Sequence, residues 1–166
     1  VELLDQAVQT ARGRPVQAII EPELDLPISA WIPESLITDL GDRLDCYRQV
    51  ALCQQPHELQ NLQNRLEHRY GNLPIEFTNL LEMAFLRQRM QALHCLRLDM
   101  HKLKLVLLFH PQTKLSSEQL VALCQKNRRF SFGDQSSIRV SFTPEEGQQP
   151  LRLAGWTLSL LEELIS

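Results

Sequence analysis

Closely spaced cysteine pairs, glycine-rich loops and long apolar runs are all missing from this 166-residue sequence. The four cysteines are scattered, whereas a metal site normally takes two ligands from one short turn. The six glycines are dispersed, so no loop can wrap successive backbone amides around a phosphate. The longest apolar run, LVLLF at 105–109, is far too short to cross a bilayer. These absences favour structural cysteines, reduced in a cytoplasm, over a metal, redox or membrane protein.

An excess of positive charge is also lacking. The formal net charge is -3, which is the wrong sign for a dedicated nucleic-acid binder. The chain contains no GxGxxG, GxxxxGK[ST], GxSxG or HExxH motif. Its five histidines stand apart from any metal-binding pattern with Asp, Glu or Cys. We therefore predict no catalytic, cofactor-binding or metal-binding residues in this chain, and no enzyme activity.

What is present is a helical first half. Apolar spacing predicts an amphipathic helix over 1–13 that ends at Gly13 and Pro15, then an edge strand in ELDLPISAWI. Further helices are predicted to start near Asp39, with that residue as N-cap, and at Pro56. The N-terminal stretch has no signal-peptide character, and the start at Val1 rather than Met predicts a piece of a longer protein.

The pattern changes after Cys95. Two strands are predicted on either side of a DMHK turn, followed by a helix that Ser116 and Gln119 cap. A second hairpin, RRFSFGDQSSIRVSF, and a C-terminal helix, WTLSLLEELIS, complete the chain. We therefore predict an α+β fold: a helical N-terminal half with a helical hairpin, packed with a small antiparallel sheet and two further helices.

The helical hairpin occupies NRLEHRYGNLPIEFTNLLEMAFLRQRM, residues 64–90, where Gly71 suits a C-cap and Pro74 a first helical turn. Its second helix is too apolar to be a DNA-reading helix. The remaining interpretation of the hairpin is that its exposed face of mixed charge docks onto another domain. The alternative is an accessory module that contacts nucleic acid. That module would use five arginines: Arg65, Arg69, Arg87, Arg128 and Arg129.

Several segments in a fixed order resemble one family. A strand ends in Ile-Pro, a helix contains Arg-Leu-x-x-Tyr, and a Gly-x-Leu-Pro turn precedes a helix with Leu-Arg. The matching residues are Ile32, Pro33, Arg43, Leu44, Tyr47, Arg69, Tyr70, Gly71, Leu73, Pro74, Leu86 and Arg87. This pattern is similar to the C-terminal domain of the bacterial transcription-repair coupling factor, firmly over 24–109 and loosely at both ends.

The resemblance implies a non-catalytic regulatory domain of a cytoplasmic, ATP-driven DNA translocase. It implies that 1–15 link the domain to a preceding motor, which binds ATP and Mg, and that 16–166 form a single domain. In the family this domain packs against the N-terminal repair-recruiting domain of the same protein, masks the surface for the A component of the excision-repair system, and restrains the motor. The parent is expected to bind RNA polymerase and double-stranded DNA as well.

One departure from the family concerns the helix before the Gly-x-Leu-Pro turn. Family members often carry acids there that face a basic partner surface, whereas this chain has Arg65 and His68 at those positions. Either the clamp is weaker, or the partner carries a compensating charge change, or the surface has drifted. The predicted interdomain contact comprises Arg65, His68, Arg69 and Asn72. The hairpin's inner faces, Leu59, Leu62, Leu66, Phe77, Leu81 and Phe85, are predicted to form core, with Tyr70 packing inward.

Overall fold

The computed structural model describes residues 20–135 and 137–166. Up to residue 92 the elements are β1 (Glu23–Asp25), α1 (Leu40–Leu52), α2 (Pro56–Tyr70) and α3 (Ile75–Ala92). From residue 95 onwards they are β2 (Cys95–His101), β3 (Lys104–Phe109), α4 (Ser117–Lys126), β4 (Phe130–Phe132), β5 (Ser137–Ser141), a 3-10 turn (Glu146–Gln148) and α5 (Pro150–Ile165). The predicted α+β fold and its helical hairpin, α2 and α3, are confirmed. The predicted helix over 1–13 lies outside the described residues, as does the 1–15 link.

One sheet contains all five of these strands, in the order β1-β2-β3-β5-β4. The pairs β2–β3, β3–β5 and β5–β4 are antiparallel, as predicted. The short edge strand β1 instead runs parallel to β2, with Leu24 opposite Leu98. Because β1 reaches β2 only after the three helices, the pair is not a hairpin and either direction is open to it.

Side-chain caps fix where the helices begin. The carboxylate of Asp39 accepts a hydrogen bond of 2.9 Å from the backbone N–H of Asp42, which confirms the predicted N-cap of α1. Ser116 and Gln119 form the predicted capping box of α4. Helix α2 begins at Pro56, where the missing N–H of proline costs no intrahelical bond.

Boundaries differ from the prediction at three elements, and the edge strand predicted in ELDLPISAWI is confined to Glu23–Asp25. Helix α5 begins at Pro150, six residues before the predicted start at Trp156, because a proline suits the first helical turn and Leu153 and Ala154 are buried. The β2–β3 turn lies at 102–103 rather than over DMHK, and Lys102 takes a positive φ of 57° there. Strand β2 therefore extends through His101.

Two apolar clusters form the core. The helical cluster joins α1, α2 and the first half of α3 to the loop residues Ile32 and Ile37. The sheet cluster joins β2 to β5 with α4, α5 and the last part of α3. Helix α3 contributes to both: Phe77 and Leu81 to the helical cluster, Leu86 and Met90 to the sheet cluster. Helix α3 is therefore packed into both clusters, whereas α2 packs only into the helical cluster.

Candidate functional site

All four residues predicted for the interdomain contact are exposed. Arg65, His68 and Arg69 lie on α2, and Asn72 lies in the turn that follows. The inner faces of the hairpin are packed: five of the six predicted core residues are buried, Leu59, Leu62, Leu66, Phe77 and Leu81. Phe85 is half-buried, and Tyr70 is half-buried against the helical cluster. The predicted contact residues therefore stand on the solvent side of a firmly packed element.

The structure brings two of the four together. Arg65 and Arg69 are one helical turn apart and line a groove of about 270 Å³ between α1 and α2. The opposite wall carries Asp42 and Asp45 of α1. His68 and Asn72 are not among the lining residues, because His68 points farther round the helix towards solvent. The predicted contact is thus an arginine pair over a groove, with the other two residues beside it.

Both arginines of this groove are exposed. Among the described residues, neither guanidinium has a carboxylate oxygen within 4.0 Å. The arginines that do have one are Arg48, Arg89, Arg97, Arg129 and Arg139. The guanidinium carbon of Arg69 lies 5.1 Å from the centroid of the Tyr70 ring, which orients it by a cation–π contact.

The acidic wall of the groove was not predicted from the sequence. Asp42 and Asp45 are three residues apart on α1 and therefore share a face, which was the available signal. Asp45 accepts a 2.9 Å hydrogen bond from Gln49, and its other oxygen lies 3.7 Å from Arg48. Between the walls, burial raises the pKa of the Cys46 thiol, and Asp45 adds to this while Arg69 opposes it. The groove therefore presents both signs of charge.

Two residues of the family pattern have structural roles. The Arg43 guanidinium donates hydrogen bonds of 2.8 and 3.0 Å to the carbonyls of Ile37 and Thr38. The Tyr47 hydroxyl accepts a 2.8 Å hydrogen bond from the backbone N–H of Ile32. Because both side chains tie the loop over 32–38 to α1, the Arg-Leu-x-x-Tyr pattern identifies the fold rather than a binding site.

The five arginines of the nucleic-acid alternative do not share one groove. Arg65 and Arg69 line the α1–α2 groove, and Arg87 lines another groove between α1 and α3, where burial lowers its pKa. Arg129 is bound by both oxygens of Glu146, and its exposed neighbour Arg128 precedes β4. That alternative remains a prediction without a common basic face to support it.

Across 20–135 and 137–166, no three His, Cys, Asp or Glu side chains come together in a way that could hold a metal ion. The four cysteines are free thiols, with Cys46 and Cys95 buried and Cys53 and Cys124 half-buried. In the same ranges, no helix is both long enough and apolar enough to pass through a membrane.

Comparison with solved structures agrees with the fold described above. A crystal structure of the C-terminal domain of a transcription-repair coupling factor matches with a TM-score of 0.70 and 17% identity, over 90% of this chain and 98% of that one. At the level of sequence, the TRCF domain model matches residues 26–120, more than half of the chain. The chain therefore belongs to the TRCF domain family, which confirms the resemblance seen in the sequence.

Named relatives agree with this assignment. The chain is 30% identical to the transcription-repair-coupling factor of Myxococcus xanthus over 127 residues, 76% of this chain and 11% of that protein. It is 25% identical to the transcription-repair-coupling factor of Escherichia coli (strain K12) over 169 residues, 99% of this chain and 14% of that protein. The chain thus spans only about a tenth to a seventh of these relatives.

Proposed function

We propose that this chain is a non-catalytic docking domain of a cytoplasmic transcription-repair coupling factor. It binds the repair-recruiting N-terminal domain of the same protein, masks the surface that the excision-repair A component would use, and so restrains the motor. The ATP- and Mg-dependent motor and the contacts with RNA polymerase and double-stranded DNA belong to other parts of the protein. Membership of the TRCF domain family supports the parent, and the groove geometry supports the contact.

The observation that carries the docking role is the arginine pair on the packed hairpin. Arg65 and Arg69 extend from a helix whose opposite face is buried at Leu62 and Leu66, so the pair is held in a fixed place. Preorganised charges of this kind set the register and association rate of an interface more than its total affinity. A partner that carries carboxylates opposite the arginine pair fits this face. Of the alternatives given above, this is the one in which the partner carries a compensating charge change.

The first prediction concerns this contact. We expect Arg65→Glu to weaken binding of the repair-recruiting domain by roughly tenfold, because one attraction becomes a repulsion next to Arg69. Calorimetric titration at low and moderate salt measures this, and the affinity of the unaltered chain should fall as salt rises. Arg128→Glu is the matched control, since that exposed arginine lies away from the hairpin.

Two outcomes contradict the proposal as stated. Equal affinities for the unaltered chain and Arg65→Glu, with binding intact, would remove the hairpin face from the interface. Tighter binding of Arg65→Glu would mean that the partner is basic and meets Asp42 and Asp45 instead. Because a covalent tether raises the effective concentration, the experiment is repeated with the two domains joined in one chain. The readout is then binding of the excision-repair A component, which Arg65→Glu should restore by unmasking its surface.

A further inference from the structure

A pocket of about 520 Å³ lies between the β4–β5 hairpin and the first half of α5, at the β4 edge of the sheet. Arg129, directly before β4, and Phe142, directly after β5, form one side of it. Arg152 and Trp156 of α5 form the other side. The volume falls in the range of about 300–1,000 Å³ that is usual for ligand-binding pockets. The pocket has no residue in common with the α1–α2 groove and lies at the edge of the sheet opposite to β1.

Trp156 gives this pocket an aromatic surface that is fixed in place. The centroid of its ring lies 6.0 Å from the centroids of the Phe130 and Phe142 rings, and both phenylalanines are buried. The indole is therefore held by core residues, while 39% of the Trp156 surface remains exposed. Exposed aromatic side chains that are already held in one orientation are frequent anchor points in protein interfaces, because their binding costs little ordering.

Arg152 places a cation beside this indole. It lies about one helical turn before Trp156 on α5 and is exposed. Within the described ranges no carboxylate oxygen lies within 4.0 Å of its guanidinium, whose one hydrogen bond there goes to Oε1 of Gln149 at 3.3 Å. The other N–H groups of the guanidinium are therefore left for a ligand. A carboxylate is the group that their planar geometry matches.

The acidic side chains of the pocket limit which ligand suits it. Glu146 accepts two hydrogen bonds from Arg129, so this pair contributes no net charge. Glu145, one residue earlier, also lines the pocket and is exposed. A nucleic-acid strand would bring a row of phosphates past these glutamates, and a cationic side chain on Trp156 would meet Arg152. A peptide with one carboxylate avoids both repulsions and still supplies an apolar side chain for the indole.

We propose that this pocket binds a peptide segment of a partner protein in which a large apolar side chain stands next to an aspartate or glutamate. The apolar side chain packs on Trp156, and the carboxylate accepts hydrogen bonds from Arg152. Packing on the indole keeps water away from these charge-assisted hydrogen bonds, which strengthens them. The site does not depend on the proposed docking of the repair-recruiting domain, because the two surfaces share no residue.

Titration with short peptides, followed by NMR of the nitrogen-15-labelled full chain, tests this site. The probes are capped hexapeptides that contain phenylalanine followed by aspartate, and a Trp156→Phe chain assigns the signals of the two tryptophan indoles. The Trp156 indole N–H signal should shift as peptide is added, whereas that of Trp31, which is also exposed, should not. Replacing the aspartate by asparagine, or the phenylalanine by alanine, should weaken binding by roughly tenfold.

Charge reversal in the chain separates recognition from a merely structural effect. Arg152→Glu should weaken binding of the aspartate peptide by roughly tenfold and tighten binding of a matched peptide with lysine in place of aspartate. Arg128→Glu, an equally exposed change outside the lining, should do neither. An unmoved Trp156 signal, equal affinities for the aspartate and asparagine peptides, or no gain for the lysine peptide with Arg152→Glu would overturn the proposal. So would tighter binding of a single-stranded oligothymidylate than of any peptide, because the pocket would then be a nucleic-acid site.

Discussion

At the scale of single residues, Arg129 and Glu146 form an ion pair with two hydrogen bonds. The guanidinium donates to both carboxylate oxygens, at 2.6 and 2.8 Å. The backbone N–H of Thr143 donates a third hydrogen bond to Glu146, at 3.0 Å. Together these bonds lower the pKa of Glu146 to about 2, with Arg129 as the largest cause. The pair ties the strand β4 to the turn that leads into α5.

The pH dependence of stability follows from this lowered pKa. Since the folded pKa of Glu146 lies below the ordinary glutamate value, the folded state gains stability above that ordinary value and loses it as pH falls towards about 2. We expect Glu146→Gln to be less stable than the unaltered chain at neutral pH, with the difference shrinking in that acidic range. Urea unfolding between neutral pH and pH 2 measures it. Glu145→Gln is the control, and an equal difference at every pH would argue against the pair.

The exposed charges of the site show how much of it could be predicted from the sequence. That Arg65 and Arg69 are exposed could be predicted, because the apolar positions of α2 fix which face is buried. That they stand opposite Asp42 and Asp45 could not, because the angle between α1 and α2 depends on packing that no local pattern encodes. The same limit applies to Arg89, which joins α3 to Glu162 of α5 at 2.6 Å across 73 residues.

At the scale of elements, two glycines in different settings give opposite expectations. Gly71 ends α2 with φ 77° and ψ -150°, a backbone conformation that side chains strongly disfavour, although no atom lies within 4 Å of an added Cβ. Gly155 lies inside α5, where an added Cβ would meet the Arg89 guanidinium at an ordinary 3.6 Å.

The same substitution at the two sites should therefore differ in sign. We expect Gly71→Ala to lower the free energy of unfolding by about 1–3 kcal/mol through backbone strain alone. Gly155→Ala should raise it by about 0.5–1 kcal/mol, because alanine favours a helix interior. Denaturant unfolding of both variants provides the comparison. If Gly71→Ala proved neutral, the turn between α2 and α3 would have to tolerate a different backbone path.

Local signals account for the elements that the sequence predicted well. The caps at Asp39 and Ser116 and the first-turn Pro56 act within a few residues, so they can be recognised without knowing the fold. The parallel pairing of β1 with β2 joins Leu24 to Leu98 across the whole helical half, and no local signal specifies it. The early start of α5 had a signal, since Pro150 suits a first turn, but the polar run before it favoured a loop.

At the scale of the whole molecule, the two apolar clusters depend on one helix. Phe77 and Leu81 pack in the helical cluster, whereas Leu86 and Met90 pack in the sheet cluster, all on the continuous helix α3. Each half of the molecule has one tryptophan whose fluorescence can report on its unfolding. The backbone N–H of Trp31 donates to Glu76 at the start of α3, and Trp156 lies with its ring 6.0 Å from that of Phe130 in the sheet cluster. Unfolding of each half can therefore be followed separately.

We expect the halves to unfold together, because loss of either cluster would leave α3 half packed and expose the other cluster. Trp31→Phe and Trp156→Phe chains should show coincident denaturant transitions. Leu62→Ala, which removes a buried side chain from the helical cluster, should cost about 2–5 kcal/mol and move both transitions equally. If only the Trp31 signal moved, the halves would be separate units and the predicted single domain over 16–166 would be wrong. If both unfolding transitions moved equally, the two halves would form one cooperative unit. Binding of a partner at the hairpin face would then stabilise the sheet as well, because ligand binding to a cooperative unit stabilises all of it.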